Sequence, residues 1–296
     1  MNMGIDQQVT SPFGGLATKV RELSCTDLVA MYRTKCGVDI RRHFGDLEHI
    51  AQYQCNATGL RFWRPSSLAG DEAFYVAVSQ NWPNYYKTNR WEYGKALKIV
   101  SAARGSVLEV GCGRGYFLRL VEQEGLAGAG LELNREAIRQ KVTCFDVHNE
   151  TIEAFRTRSS EKFAVVCSFQ VLEHVTDPAS FIRECASLLE PRGRLILSTP
   201  NQEFLDHTSD PFDLPPHHMN HFSPSVFTRI ASHFEMELCS IDREPWLQPR
   251  FHVHSNPSGS ALNRALRRVV NRAATLALGV RTLPGPSLVC VLQAKS

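Results

Sequence analysis

The sequence lacks any apolar run approaching the roughly 20 residues that cross a bilayer, so no transmembrane segment is expected. It lacks a strong charge of either sign. A net charge of +3 over 296 residues is too mild to argue for nucleic acid or for a membrane surface. Met1 to Ser24 lacks the charged-then-apolar order of a signal peptide. A paired cysteine framework is also missing. The nine cysteines form an odd set scattered mostly through apolar segments. That distribution fits reduced, buried thiols in a cytoplasm better than disulfides. With 43% hydrophobic and 21% charged residues, the composition is that of a folded globular protein and excludes a disordered chain.

A complete metal knuckle is absent too. Ile50–Cys55 and Leu60–Trp63 alternate like two short strands around a turn at 56–59. Cys55-x-x-Thr58-Gly59 resembles one knuckle of a zinc ribbon without its second cysteine. With only Cys55 and distant Cys36 on offer, the four ligands of a zinc site are not met, and a metal-free hairpin is expected.

What is present centres on Val107–Leu118. Four residues of buried-strand character run into Gly111, Gly113 and Gly115, and an apolar helical pattern follows. The dinucleotide fingerprint G-x-G-x-x-G needs its third glycine where Tyr116 stands. Glu109, at the strand end, would repel a pyrophosphate and suits a ligand carrying an ammonium and a positive sulfur. Glu132 ends the next strand about 20 residues on, placed to accept from ribose hydroxyls. Asp146 is expected to end a third strand and to accept from an adenine amino group. Each acid alone could be a strand-end cap. Together, at the carboxyl ends of successive strands, they mark the ligand edge of an open parallel sheet.

Around this loop strands and helices alternate. Strands are expected at 106–110, 129–133, 142–147, 163–169, 195–198, 236–241 and 287–292. Helices are expected at 91–103, 116–124, 135–141, 150–158, 178–189 and 224–233, with residues 243–260 as loop. An amphipathic helix over 261–278 carries Arg264, Arg268 and Arg272 on one side, a solvated face or a peripheral membrane contact. Residues 1–20 read as a loose tail and 21–90 as an accessory unit. In that unit Asp27–Tyr32 has helical spacing, with Thr26 or Asp27 as its cap. Phe74, Tyr75, Trp82, Tyr85, Tyr86, Trp91 and Tyr93 precede the glycine loop. They read either as helix faces packed on the sheet or as a wall over the ligand, with Tyr85, Tyr86 and Lys87 near its mouth.

Four stretches occur in order: Glu109–Gly115, Gly130–Asn134, Phe169–Pro178 and Leu188–Asn201. In that order they resemble the motifs of class I S-adenosylmethionine (SAM)-dependent methyltransferases, in particular the bacterial group that includes the ubiquinone-biosynthesis O-methyltransferases. The resemblance covers about residues 90–240. It implies a Rossmann-like α/β fold, a seven-stranded mostly parallel sheet with helices on both faces, within a SAM-binding domain over 91–296. It further implies SAM as donor and S-adenosylhomocysteine as product. Gly111, Cys112, Gly113 and Gly115 would wrap the methionine part, with Glu109 orienting the loop and the amino group. Glu132 would bind the ribose, Leu133, Asp146 and Val147 would flank the adenine, and Phe169 and Gln170 would line the donor side. Ala164 stands where many members carry Asp, a structural place.

Methyl transfer to a hydroxyl is helped by a base, and histidine suits that task. His174 follows the fourth strand, and His217, His218 and His221 cluster after the fifth. His174, His217 and His218 are the candidate catalytic residues. No metal is expected, because no carboxylate pattern accompanies them. The expected acceptor is a hydroxyl on a small molecule, a sugar or a glycan precursor, in the cytoplasm, with oligomeric state open. N- or C-methylation and a silent SAM-binding regulator stand as alternatives. An NAD enzyme is disfavoured by Tyr116 and Glu109.

Overall fold

The computed structural model describes residues 9–82, 85–204, 210–249, 273 and 280–295. The chain opens with β1 (Val9–Thr10) and β2 (Leu16–Ser24), then α1 (Cys25–Cys36), β3 (His49–Cys55), β4 (Arg61–Arg64) and α2 (Glu72–Asn81). Next come α3 (Trp91–Ala103), β5 (Val107–Val110), α4 (Tyr116–Gln123), β6 (Gly128–Leu131), α5 (Arg135–Arg139) and β7 (Val147–His148). Then follow α6 (Ile152–Arg158), β8 (Phe163–Phe169), α7 (Pro178–Ser187) and β9 (Leu189–Pro200). The last elements are β10 (Asn220–His221), α8 (Pro224–His233), β11 (Glu237–Pro249) and β12 (Val280–Gln293).

The main sheet has seven strands in the order β11-β12-β9-β8-β5-β6-β7. Strands β7, β6, β5, β8 and β9 are parallel, and β12 and β11 complete the edge antiparallel. This is the Rossmann-like α/β architecture expected. Successive residues of the central strands face opposite layers. Val107, Val165 and Cys167 pack with α3 and α4 residues such as Tyr93, Val100 and Phe117. Leu108, Val110 and Val166 pack with Phe155, Ile182 and Phe227 of α6, α7 and α8. After β5 the chain moves outward through β6 and β7, then returns to lay β8 on the other side of β5. The gap above the carboxyl ends of β5 and β8 is therefore the switch point where open α/β sheets bind ligands.

A second, antiparallel sheet has the order β1-β2-β3-β4-β10. Its last strand comes from the loop after β9, so it is not built from the N-terminal unit alone. Phe13, Cys55, Leu60 and Phe62 of this sheet share one core cluster with Leu108 and Phe227.

Four expectations differ from the structure. Residues 9–20, expected as tail, hold β1 and the first part of β2. β2 pairs with β3 from Ala17 to Ser24 while most of its side chains stay exposed. A strand held by backbone pairing, with few buried side chains, leaves no apolar alternation to read. The α1 cap is Ser24, whose hydroxyl accepts from the Asp27 amide, not Thr26 or Asp27. The third strand starts at Val147, not Val142. The Val142 amide donates to Arg114 and the Cys144 amide to Glu122, so 142–144 bonds to the α4 side, and the sheet is joined only from the Asp146 carbonyl onward. Residues 243–249, expected as loop, continue β11. Its prolines sit on the outermost strand, the place in a sheet where proline is tolerated. The expected helix over 261–278, with Arg264, Arg268 and Arg272, lies outside the described residues. No helix among the described residues is long and apolar enough to cross a membrane.

Candidate active site

A cleft of about 1060 Å³ opens at the carboxyl ends of β5, β6 and β8. Of the residues singled out by sequence, Glu109, Gly111, Cys112, Gly113, Glu132, Leu133, Phe169, Gln170, His174, His217 and His218 line it. Gly115, Asp146 and Val147 do not.

The donor end is the turn after β5. Gly111, Gly113 and Gly115 have φ of +74°, +56° and +75°, a region that penalises any side chain. A Cβ on Gly111 would also sit 2.4 Å from Val171 Cγ2. Gly111→Ala is therefore expected to cost about 1–3 kcal/mol of stability, read as a shift in the denaturant midpoint at unchanged slope. Gly115 begins α4 and packs toward Thr143, so its place is structural.

Glu109 is 2% exposed, and its Oε2 has no hydrogen-bond partner. Burial, then the charge of Glu132, raises its pKa well above the carboxylate range. Such a group has unmet capacity for a cationic donor brought by a ligand. Glu132 accepts from the Gly113 amide through Oε2 and from the Asn134 amide through Oε1, both at 2.7 Å. It thus ties the glycine turn to the start of α5. A carboxylate has about four lone-pair sites, so roughly two remain for ligand hydroxyls. Leu133 projects beside it, 57% exposed.

Asp146 corrects the sequence reading. Because β7 begins at Val147, Asp146 lies at the amino end of that strand, its carbonyl accepting from Gly130 N. The carboxyl end of β7 instead delivers Asn149 to Ile152 to the cleft. Val147 is left out for the same reason.

Phe169 ends β8 with its ring in the core against Phe117 and Tyr93. Gln170 follows at φ +56°, and its side-chain amide donates to buried Glu92 on α3 at 3.1 Å.

The acceptor end is built where the loop after β8 meets the loop after β9. Each of three histidines donates its Nδ1–H to an oxygen: His174 to the His217 carbonyl at 2.6 Å, His217 to the Phe212 carbonyl at 2.7 Å, His218 to the Asp213 carboxylate at 3.1 Å. A carbonyl can only accept, so the tautomers of His174 and His217 follow, with the Nε2 lone pair left over. Tyr85 O–H donates to Nε2 of His217 at 3.2 Å. Burial, then the positive charge His218 can carry, pushes His174 down to about 3. Burial and the other two imidazoles push His217 well below its usual value. Both rings therefore stay neutral near neutral pH. His221 does not join them. Its Nδ1 faces Gln52 of the second sheet and its Nε2 the Asp213 carbonyl.

Sequence reasoning missed Glu173, whereas the aromatic wall over the cleft was one of its two readings. Glu173 is 1% exposed with both oxygens unpartnered, and burial pushes it up to about 7. Its Oε1 lies 3.9 Å from Nε2 of His174. The signal was an acid in an otherwise apolar run beside His174. Its presence removes the stated reason for expecting no metal. Tyr86 lies against Gly113, with its hydroxyl accepting from Asn134 Nδ2 at 2.8 Å, so it covers the donor turn. Tyr75, Tyr85 and Tyr86 wall the cleft, whereas Phe74 lies in the core beneath.

The histidine loop is anchored from α1. Tyr32 is fully buried, and its hydroxyl donates toward the carbonyls of Pro211 (2.6 Å) and Leu214 (2.8 Å). Tyr32→Phe is expected to cost about 1–3 kcal/mol by leaving a buried carbonyl unmet. It should lower turnover more than donor affinity, as steady-state rates beside calorimetry would show.

A family model described as a methyltransferase domain matches residues 86–241, just over half of the chain. Ubiquinone biosynthesis O-methyltransferase of Yersinia enterocolitica is 36% identical over 103 residues, covering 32% of this chain and 43% of the relative. The same enzyme of Vibrio vulnificus is 34% identical over 115 residues, 35% of this chain and 49% of the relative. The chain thus spans about half the length of the curated relatives it matches. Among solved structures, a SAM-dependent methyltransferase from Archaeoglobus fulgidus aligns with TM-score 0.45 at 19% identity, over 76% of this chain and 95% of that one. The chain belongs to the family that carries this methyltransferase domain.

Proposed function

We propose that this chain is a SAM-dependent methyltransferase acting on a hydroxyl of a small-molecule, sugar or glycan-precursor acceptor. The observation that carries the reading is one cleft with two unlike ends. One end has a glycine-rich turn flanked by Glu109 and Glu132, and the other a cluster of three imidazoles.

The donor end fits SAM. Glu109 offers an unpartnered buried oxygen for the amino group, and Glu132 keeps lone pairs for the ribose. Leu133 and the segment Asn149–Ile152 are placed to flank the adenine. When bound, SAM supplies a methyl group already activated on a sulfonium. The chain's task is then to hold an acceptor oxygen in line and to exclude water. Tyr75 and Tyr85 give the acceptor flat apolar faces. His174 and His217 activate its hydroxyl. A proton taken by Nε2 of His174 would leave an imidazolium 3.9 Å from the Glu173 carboxylate, which offsets the charge. The relatives named for ubiquinone biosynthesis support an oxygen acceptor over nitrogen or carbon.

Incubation with methyl-labelled SAM and fractionated extract, with products identified by mass, tests this. A labelled methyl ether is expected. Label only on nitrogen or carbon, or no transfer by protein that binds SAM, would contradict it.

A further inference from the structure

The acceptor end carries more than a base requires. Three imidazoles are each held through Nδ1 by a carbonyl or carboxylate, which leaves Nε2 as the coordinating atom, that of His217 accepting from Tyr85. That is the orientation outer partners impose on histidines that ligate transition ions. His174, His217 and His218 can offer nitrogens that all lie within 4.8 Å of one another. A tetrahedral ion with metal–nitrogen bonds of about 2.0–2.1 Å needs them about 3.4 Å apart, so the cluster has only to contract. Independently, Glu173 is 1% exposed, both its oxygens lack hydrogen-bond partners, and it borders the same cleft beside His174. A buried carboxylate is costly unless paired or coordinated. A purely structural histidine cluster gives no reason for an orphaned acid at its side. Nitrogen-rich donors with one carboxylate suit zinc and its neighbours and not magnesium, which prefers oxygen.

We propose that Glu173, His174, His217 and His218 form a binding site for one divalent first-row transition ion, zinc or a close neighbour, at the acceptor end of the cleft. Tyr85 must release Nε2 of His217 when the ion enters. With the ion bound, it would hold and acidify the acceptor oxygen in place of Nε2 of His174, the histidines then serving as its ligands. That role rests on the methyl-transfer reading; the binding of the ion does not.

The test uses the full chain after chelator treatment, without SAM. Zinc is titrated by calorimetry and cobalt by visible absorption. One saturating equivalent is expected, with cobalt d–d bands and no thiolate charge-transfer band, since exposed Cys144 and Cys239 are the competing ligands. His174→Ala and His218→Ala should weaken zinc binding by at least about 10–100-fold. Glu173→Gln and His218→Gln keep side-chain volume and should weaken it likewise while melting as cooperatively as the parent. No saturable binding, affinity unchanged in the Gln variants, or a thiolate band would overturn the site. S-adenosylhomocysteine binding is measured on the same samples. Protein that binds the nucleoside but no zinc loses the metal site alone. Protein that binds zinc but no nucleoside loses the methyl-transfer reading alone.

Discussion

The double variant His174→Ala, His217→Ala is expected to lose turnover by about 10²–10⁴-fold, the range supplied by positioned acid–base groups. S-adenosylhomocysteine affinity should stay within about twofold. Both rings lie at the end of the cleft built by the β8 and β9 loops, while the groups suited to the donor, Glu109 within β5 and Glu132 just after β6, lie at the other. The two rings are coupled, since they pack edge to face with centroids 4.5 Å apart. Removing one therefore loosens the other, and the double variant should cost less than the sum of the singles. Single-turnover rates beside calorimetry check the split. A variant that retains full turnover would place acceptor activation elsewhere. A variant that loses donor affinity and turnover together would give the rings a structural part only, provided its melt matches the parent.

Glu132→Ala is expected to weaken SAM and S-adenosylhomocysteine binding by about 1–3 kcal/mol, roughly 5- to 150-fold. Two losses combine. The ligand's ribose hydroxyls lose their acceptor, and the amides of Gly113 and Asn134 lose the oxygens they reach at 2.7 Å. The second loss releases the glycine turn from α5, so the effect should exceed that of Glu132→Gln, which keeps one acceptor oxygen. Titration of all three proteins with S-adenosylhomocysteine reads the order directly. Equal affinity in parent and Glu132→Ala would remove its assigned role.

Most of the main sheet was legible because its strands are buried on both faces and its helices carry one apolar side. Phe163–Phe169 and Pro224–His233 are formed with the bounds their patterns imply. Legibility failed where backbone partners, not side chains, decide the structure. β2 pairs with β3 while showing mostly exposed side chains, and the backbone amides of Val142 and Cys144 bond toward the α4 side. The second failure displaced the site reading, since it moved Asp146 to the wrong end of its strand. At the site, the glycine turn and its two acids were readable from spacing alone. Glu173 was not, because an acid beside a histidine in sequence shows nothing about whether its oxygens find partners. His221 illustrates the converse. It sits three residues from His218 yet bonds to Gln52 of the other sheet, a separation fixed by β10 pairing with β4.

Calorimetric titration of the purified full chain with S-adenosylhomocysteine and, separately, with NAD tests the central claim most directly. The account predicts one saturable site for S-adenosylhomocysteine and none for NAD, because Glu109 disfavours a pyrophosphate and Tyr116 stands where the dinucleotide fingerprint needs its third glycine. Saturable NAD binding, or a folded protein that takes up no S-adenosylhomocysteine, would contradict it.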